Sequence, residues 1–329
     1  MSIIRPFRGI RPKKELASSI AALPYDVYSS GEARQIVRDN PLSFLKIDRA
    51  ETLLPEGTDM YSAPVYETAR DTLNVMIREG SFIQDDTDCY YIYALTMDGR
   101  TQTGLVGCAS IDDYMSGVIL RHENTLEAKE QDRIRHIDTC SAHTGPIFLT
   151  HRPNERLRQI TDRIKMQKAV YDFTSEDNIR HLVWKIDSPE DIENISHIYA
   201  QTPHLYIADG HHRAASAVKV GLVRRDADPE FSGAEEYNFF LSVLFPSDEL
   251  QIYGYDRVVT DKNGYTFASF LDKIKDGFDV THIGIGPCRP AHKGEFGIYS
   301  DGTWYMAKAH SRLLSDDPVR GLDVSILQE

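Results

Sequence analysis

The stretch Ala208-Asp209-Gly210-His211-His212-Arg213-Ala214-Ala215 contains the features that decide how this part of the chain folds. It follows the apolar residues 205–208, which predict the end of a strand. It opens an alanine-rich run, residues 214–220, which predicts a helix that ends at Gly221. A strand, a tight turn and a helix direct free backbone N–H groups and the positive end of the helix dipole at one point. The sequence therefore predicts an anion site at Gly210.

Three side chains add hydrogen-bond donors at the same turn. His211, His212 and Arg213 are each able to donate to a phosphate oxygen. The alternative is structural: Asp209 caps the helix, Gly210 supplies the turn, and the other side chains are solvated. We favour a phosphate or nucleotide site over that alternative.

A second polar segment, residues 122–136, holds the other candidate site residues. Asn124 is placed to cap a helix, with Glu127 at its third position. Helical spacing puts one hydroxyl, one ammonium, one carboxylate and one imidazole on the same face, which is formed by Thr125, Lys129, Asp132 and His136, with Arg133 beside it. Such a face suits phosphate, magnesium and a small polar substrate. The alternative is a solvated charged face stabilised by ion pairs within the helix.

Two glutamates of this segment are candidate catalytic residues. Glu130 falls among the apolar positions of the helix, so its carboxylate needs a cation or hydrogen-bond donors. It is either the structural partner of an arginine or a site carboxylate turned inward. Glu123 precedes the predicted cap, where a loop can project it into a cleft. We favour Glu123 as the residue that would position a substrate hydroxyl group.

Metal-ligand patterns are weak in this sequence. His122-Glu123 is not part of a zinc-protease motif, because Leu126 occupies the place of the second histidine. Adjacent residues such as His211 and His212 rarely present both rings to one ion. No protein metal ligand is therefore assigned, and Mg²⁺ held mainly by nucleotide phosphates is the expected cation.

Two weaker candidates lie nearer the N-terminus. Asp26, in the turn Pro24-Tyr25-Asp26-Val27, is either a catalytic carboxylate or the cap of that turn. Arg5, Arg8 and Arg11 recur every third residue and could line an anion site, although solvated arginines are the commoner outcome.

Composition excludes several classes of protein. The chain has 329 residues, of which 41% are hydrophobic and 26% charged, as in a globular protein of one or two domains. The formal charge of −13 argues against a broad nucleic-acid surface, and no apolar run is long enough to span a bilayer. We therefore expect neither a nucleic-acid nor a membrane partner, and the oligomeric state is left open. Four scattered cysteines and a beginning without an apolar signal core predict a cytoplasmic protein.

Hydrophobic periodicity predicts alternating helices and strands. Helices are predicted at residues 32–39, 61–79, 156–171, 188–199 and 265–275. Strands are predicted at residues 43–47, 89–96, 101–111, 146–150, 181–186, 239–244, 251–259 and 278–283, with hairpin turns at Asp98-Gly99 and around Ser300-Asp301-Gly302. This order indicates an α/β or α+β fold with a mixed sheet and flanking helices. Residues 1–259 form the expected nucleotide-binding core, and residues 260–329 form a C-terminal α+β segment.

Residues 209–213, between a strand and an alanine-rich helix, resemble the signature of ParB/sulfiredoxin-type nucleotide-binding domains. Over most of its length the chain more closely resembles the prokaryotic family called domain of unknown function 1015. The further segments that carry this resemblance are Pro6-Phe7-Arg8-Gly9, Pro24-Tyr25-Asp26-Val27 with Glu32-Ala33-Arg34, Asn40-Pro41-Leu42-Ser43-Phe44-Leu45, His122-Glu123-Asn124-Thr125 with Lys129-Glu130-Gln131-Asp132-Arg133, and Tyr255-Asp256-Arg257-Val258-Val259. Members of this family usually continue beyond residues 322–327, so the C-terminal segment is expected to be incomplete.

The ParB/sulfiredoxin resemblance implies one of three chemistries. Sulfiredoxins use a cysteine where this chain has His211, which disfavours thiol-based repair. ParB-type proteins carry a DNA-binding helical segment, which the acidic composition disfavours. The third group, the free-serine kinases, transfers phosphate from a nucleotide to a small hydroxyl compound, and this chain is most similar to it in its chemistry.

We therefore expect a kinase that uses ATP or ADP with Mg²⁺ to phosphorylate a small hydroxyl compound such as free serine. The expected catalytic residues are Glu123, Lys129, Glu130 and Asp132. The expected nucleotide-binding residues are His122, Thr125, Arg133, Asp209, Gly210, His211, His212 and Arg213. The alternative is a nucleotide-binding regulatory module without turnover.

Overall fold

Strands and helices are interspersed along the chain. The computed structural model describes residues 1–254, 256–317 and 319–328, which fall into two compact units, Met1–Gln251 and Ile252–Glu329. The strands of the first unit are β1 (Ile4–Arg5), β2 (Ile10–Pro12), β3 (Phe82–Gln84), β4 (Tyr90–Met97), β5 (Arg100–Ser110), β6 (Ile119–Leu120), β7 (Ile147–His151), β8 (Tyr171–Thr174), β9 (Arg180–Ile186), β10 (Leu205–Asp209) and β11 (Phe239–Pro246). Its α-helices are α1 (Ala17–Ile20), α2 (Ser30–Asp39), α3 (Leu45–Asp48), α4 (Ala63–Arg78), α5 (Ile111–Met115), α6 (Glu127–Cys140), α7 (Glu155–Lys165), α8 (Pro189–Ala200) and α9 (His211–Ala227).

One mixed sheet of nine strands organises the first unit. Its order is β6-β10-β7-β11-β5-β4-β9-β8, and β1 also pairs with β5. The pairs β10–β6 and β11–β7 are parallel, whereas the others are antiparallel. Strands β2 and β3 form a separate two-stranded sheet. The predicted combination of a mixed sheet and flanking helices is confirmed.

The hairpin of β4 and β5 lies in the middle of this sheet. Its turn residues Asp98 and Gly99 have φ angles of 51° and 77°, as the Asp-Gly signal predicts. A Cβ atom at Gly104 would lie 2.9 Å from the Phe245 ring, and one at Gly107 would lie 2.9 Å from Ile4. These two glycines therefore allow neighbouring side chains to pack directly on the strand.

Helix α9 packs its alanines into the main core. Ala214, Ala217 and Val218 are buried in the same apolar cluster as the β-strand residues Ile92 and Phe240. The predicted helix end at Gly221 is wrong, because α9 continues to Ala227. A Cβ atom at Gly221 would lie 2.4 Å from the carbonyl oxygen of Tyr237, so the glycine serves close packing instead.

Three other predicted elements are corrected. The predicted strand at residues 43–47 is wrong, because the backbone there makes local bonds, such as Arg49 N–H to the Leu45 carbonyl, and forms helix α3. The helix predicted at residues 156–171 ends at Lys165, because Tyr171 belongs to β8 and pairs with β9. Residues 251–254 and 256–259 form no strand, and their apolar side chains, such as Ile252, are exposed. Tyr255, in the same predicted strand, lies outside the described residues.

A buried carboxylate joins the small sheet to the large one. Asp85, which follows β3, is 5% exposed and accepts hydrogen bonds from Arg11 at 2.8 and 2.9 Å. It also accepts from the Tyr91 hydroxyl and pairs with Lys185 Nζ at 3.1 Å. Arg11 is therefore a structural partner of Asp85, contrary to both the anion-site and the solvated alternatives.

The second unit has a three-stranded antiparallel sheet. Its elements are α10 (Phe267–Ile274), β12 (Phe278–Gly284), β13 (Glu295–Ser300), β14 (Thr303–Ala309) and α11 (Asp323–Ile326), with the strand order β12-β14-β13. The predicted hairpin turn at Asp301-Gly302 is confirmed, with φ angles of 51° and 80°. In neither unit does a described helix combine the length and apolar character needed to cross a bilayer.

Candidate functional site

The turn between β10 and α9 has the predicted geometry. Strand β10 ends at Asp209, helix α9 begins at His211, and Gly210 lies between them with a φ angle of 90°. Residues that have a Cβ atom rarely adopt this left-handed backbone conformation, which explains why this position is a glycine. Gly210 itself occupies the N-cap position, so the structural alternative in which Asp209 caps the helix is wrong. The first-turn N–H groups of α9, which have no intrahelical acceptor, begin at this glycine.

Arg213 is held against the turn by two protein acceptors. Its Nη2 pairs with Asp209 Oδ2 at 2.7 Å, and its Nη1 donates to the carbonyl oxygen of Pro146. The Arg213 side chain is 21% exposed and that of Asp209 is 71% exposed. Because a guanidinium has five N–H donors, two bonds fix its position and leave donors for an anion.

The loop before α6 lies directly on this turn. The backbone N–H of Leu126 donates to His212 Nε2 at 3.0 Å, and that of His122 approaches His211 Nε2 at 3.5 Å. The His122 and His211 rings meet edge to face, with their centroids 4.4 Å apart. The structure therefore brings the two polar segments of the sequence together.

His211 is the buried member of the site. Only 4% of its side chain is exposed, and its Nδ1 lies 3.8 Å from Glu123 Oε2. Burial, aided by the neighbouring His122 ring, lowers the pKa of His211 and favours a neutral imidazole. Glu123 and His122 are exposed, so the site combines one fixed ring with two accessible side chains.

Helix α6 begins later than the sequence predicts. Its first residue is Glu127, and Leu126 occupies the cap position, so the predicted cap at Asn124 is wrong. The Leu126 N–H donates to His212 Nε2, and no described side chain caps the first turn of α6. The Thr125 hydroxyl lies outside the helix and donates to Glu130.

Glu130 fastens α6 to α9. Its side chain is 5% exposed and pairs with Lys219, and its backbone carbonyl accepts from Ser216 Oγ at 3.1 Å. Burial opposes ionisation, but the bonds from Lys219 and Thr125 outweigh it and lower the pKa of Glu130. The partner of Glu130 is thus a lysine and not the arginine that was one of the two alternatives predicted from the sequence.

Asp132 and Arg133 belong to a buried cluster. Asp132 accepts a hydrogen bond from the Tyr66 hydroxyl at 2.9 Å and pairs with Arg133 at 2.8 Å. The Arg133 guanidinium lies 4.0 Å from the centre of the Tyr25 ring. Burial raises the pKa of Tyr25, while the charge of Arg133 opposes that rise. Both charged groups therefore have structural partners.

The predicted ligand-binding face of α6 is for the most part internal. His136 is 3% exposed, and its Nε2 lies 3.2 Å from the carbonyl oxygen of Ile47. Its pKa is lowered by burial. Within the described residues, Asp48 Oδ1 is a buried oxygen without a hydrogen-bond partner. Of the four residues predicted to share this face, Asp132 contacts α4 and His136 contacts α3, Thr125 is half-buried and bonded to Glu130, and Lys129 is exposed.

The sequence reasoning did not single out Lys219, Tyr25 or Tyr66. Lys219 follows His212 by two helical turns, and this spacing indicates the same face of α9. Tyr25 lies close enough to Asp26, Asp132, Arg133 and Arg213 for their charges to act on its pKa. The turn that contains Asp26 therefore comes near the same group of residues.

The two segments that meet at the start of α9 are among those that carry the family resemblance. A family model described as "Protein of unknown function (DUF1015)" matches residues 4–325. The chain belongs to this family. Neither a curated protein nor a solved structure matches the chain. Membership of DUF1015 brings no assigned activity.

Proposed function

We propose that this DUF1015 chain binds a nucleotide at the start of α9 and transfers a phosphate group to the hydroxyl of a small compound, with free serine as the first acceptor to test. One observation carries the proposal: residues 122–126 lie against the first turn of α9, with the Leu126–His212 bond at 3.0 Å. This places a helix N-terminus, a guanidinium, two imidazoles and an accessible carboxylate together. Phosphoryl transfer requires this combination of anion donors and a group near the acceptor.

The phosphate groups would lie against the first turn of α9. The backbone N–H groups from Gly210 onward and the Arg213 guanidinium supply donors there. Arg213 is already oriented by Asp209 and Pro146, which limits the entropy lost on binding. ATP or ADP is the proposed donor. Mg²⁺ would be held mainly by the phosphates, and the exposed carboxylate of Asp209 fits the oxygen ligands that this ion prefers.

Glu123 is the proposed positioning group for the acceptor hydroxyl. Of the three candidate carboxylates, Glu130 is paired with Lys219 and Asp132 with Arg133, whereas Glu123 is 56% exposed. A group that orients or deprotonates a hydroxyl has to reach the substrate, which favours the accessible residue. The exposed Lys129 would add positive charge near the phosphates.

A binding module without turnover is the second candidate. The observation that favours it is that two of the three carboxylates are already neutralised within the protein. Under either candidate, the first unit would hold a ParB/sulfiredoxin-like nucleotide core. We also propose a cytoplasmic location, with which the four unpaired, buried cysteines are compatible.

A transfer assay separates the two candidates. The full chain is incubated with ATP or ADP, Mg²⁺ and serine, threonine or related hydroxyl compounds, and phosphorylated products are detected by mass spectrometry. Product formation supports the kinase. Nucleotide binding without any product supports the module, and the absence of both overturns the two proposals.

Replacing Arg213 with alanine is expected to weaken nucleotide binding by about 1.5–3 kcal/mol, because a charge-assisted bond to phosphate is lost. The matched control is Arg224→Ala, which removes a guanidinium paired with Asp138 near the other end of α9. Calorimetry with Mg²⁺-nucleotide measures both, and circular dichroism checks the fold. Equal affinities for the two variants would contradict the proposed phosphate contact.

Duplex DNA is expected not to bind appreciably at physiological salt. The formal charge of −13 leaves few clustered cations to displace the counterions of DNA. An electrophoretic mobility assay over a range of salt concentrations tests this. A nanomolar complex that weakens as salt is raised would instead support a ParB-like function.

A further inference from the structure

Three side chains at the contact between the two segments form a set of the metal-binding type. His122, Glu123 and His211 each offer one ligand atom, and these atoms all lie within 4.8 Å of one another. Two imidazole nitrogens and one carboxylate oxygen are a donor set used by catalytic zinc sites, which leave further coordination positions open. We infer that these three residues bind one first-row transition-metal cation, with Zn²⁺ as the leading candidate.

His211 provides the fixed point of this site. It is the first residue of α9 and is 4% exposed, so its ring is held by the surrounding protein. Its Nδ1 lies 3.8 Å from Glu123 Oε2, which is too far for a hydrogen bond. These two atoms are therefore not hydrogen-bonded to each other, and they lie close enough for one cation to draw both in as ligands.

Small side-chain movements would complete the coordination. Ligand atoms about 2.0–2.1 Å from a tetrahedral Zn²⁺ lie roughly 3.3 Å from each other. The present separations of up to 4.8 Å thus need to shorten by at most about 1.5 Å. Glu123 and His122 are both exposed, so they have room to move toward the buried His211.

Binding at His211 Nδ1 has a consequence for the other ring nitrogen. The proton of the neutral ring would then be on Nε2, which faces the His122 backbone N–H at 3.5 Å. Two N–H groups cannot bond to each other, so this contact has to open when the metal binds. At 3.5 Å it is near the upper limit for a hydrogen bond, so little stabilisation is lost.

The proposed ion differs from the Mg²⁺ that would accompany a nucleotide. Imidazole nitrogens suit Zn²⁺ and its neighbours, whereas Mg²⁺ prefers oxygen ligands. His212 is not one of the three clustered residues, and its Nε2 instead accepts the Leu126 N–H. This inference does not depend on the proposed transfer reaction, since metal binding is measured without nucleotide.

The test is a metal titration of the full chain after dialysis against a chelator. Zn²⁺ is titrated in competition with a chromophoric chelator, and Co²⁺ is followed by its visible absorption. The expected result is one ion per chain. Affinity should fall by about 100-fold in His211→Ala and by at least about 10-fold in His122→Ala and Glu123→Gln, because each removes a direct ligand.

The matched control is His197→Ala, which removes an exposed imidazole on α8 that is bonded to Gln201. It should bind metal like the wild type. If His211→Ala fails to fold, His122→Ala and Glu123→Gln still test the inference, because both residues are exposed and their variants should fold. Wild-type affinity in both of their variants, or the lack of a single stoichiometric site in the wild type, would overturn the inference. Nucleotide titration with Mg²⁺ alone tests the proposed function separately.

Discussion

Replacing Glu123 with glutamine is expected to lower the rate of phosphate transfer by about 100- to 10,000-fold, the range typical of a lost acid–base group. Nucleotide affinity should change far less, because a group that orients or deprotonates the acceptor acts mainly in the transition state. Glutamine keeps the size of the side chain, and Glu123 is 56% exposed, so the fold should be retained. Initial rates at saturating nucleotide and a separate calorimetric titration measure the two effects.

Control variants separate chemistry from structure in this segment. Glu127→Gln, at an exposed position at the start of α6, should leave the rate unchanged. Glu130→Gln and Asp132→Asn remove the partners of Lys219 and Arg133, so any loss of rate should come with a lower melting temperature. Full activity in Glu123→Gln would rule out its proposed role. Full activity in all three carboxylate variants would exclude carboxylate assistance from this segment.

Replacing Asp85 with asparagine is expected to lower the free energy of unfolding at neutral pH by about 3 kcal/mol, since breaking a buried ion pair leaves its cations uncompensated. The cations are Arg11 and Lys185, whose side chains are 19% and 21% exposed. The neighbouring Asp86→Asn is the matched control, because Asp86 is exposed. Chemical denaturation measures both variants, and equal midpoints would contradict the role of Asp85.

The same carboxylate gives a defined pH dependence. Burial opposes the ionisation of Asp85, but bonds from Arg11, Tyr91 and Lys185 outweigh it and lower its pKa to about 2. This folded-state pKa is below the value of about 3.9 for an unfolded aspartate. The stabilisation that the ionised Asp85 contributes is therefore complete above about pH 4 and is lost as the pH falls from about 4 to about 2. Asp85→Asn should show a flatter loss of stability than the wild type in this range.

Local sequence signals predicted the elements that depend on local bonds. The Asp98-Gly99 turn and the strand–Gly210–helix junction follow from residues adjacent in the chain, and both are observed. The short apolar run at residues 43–47 was ambiguous, because a strand and a buried helical turn have the same few apolar residues. Gly221 resembles a helix end in the local pattern, which does not show its close neighbour, the carbonyl oxygen of Tyr237.

The candidate site depends on contacts that no local pattern specifies. The bond between Leu126 and His212 joins residues 86 positions apart. In the sequence, the helix face that contains Asp132 and His136 has the pattern of a solvent-exposed polar face. In the structure, α3 and α4 pack against this face. The same long-range contact brings His122 and Glu123 to His211, so the metal-binding set could not be found from spacing.

Titration calorimetry of the wild-type chain with nucleotide and Mg²⁺ tests the central claim most directly. ATP, ADP and a cytidine nucleotide are titrated in turn, with transition metals removed by a chelator. We expect saturable binding of one nucleotide per chain, weakened in Arg213→Ala and retained in Arg224→Ala. If the folded wild type binds none of these nucleotides, the start of α9 is not a nucleotide site and the proposed function is wrong.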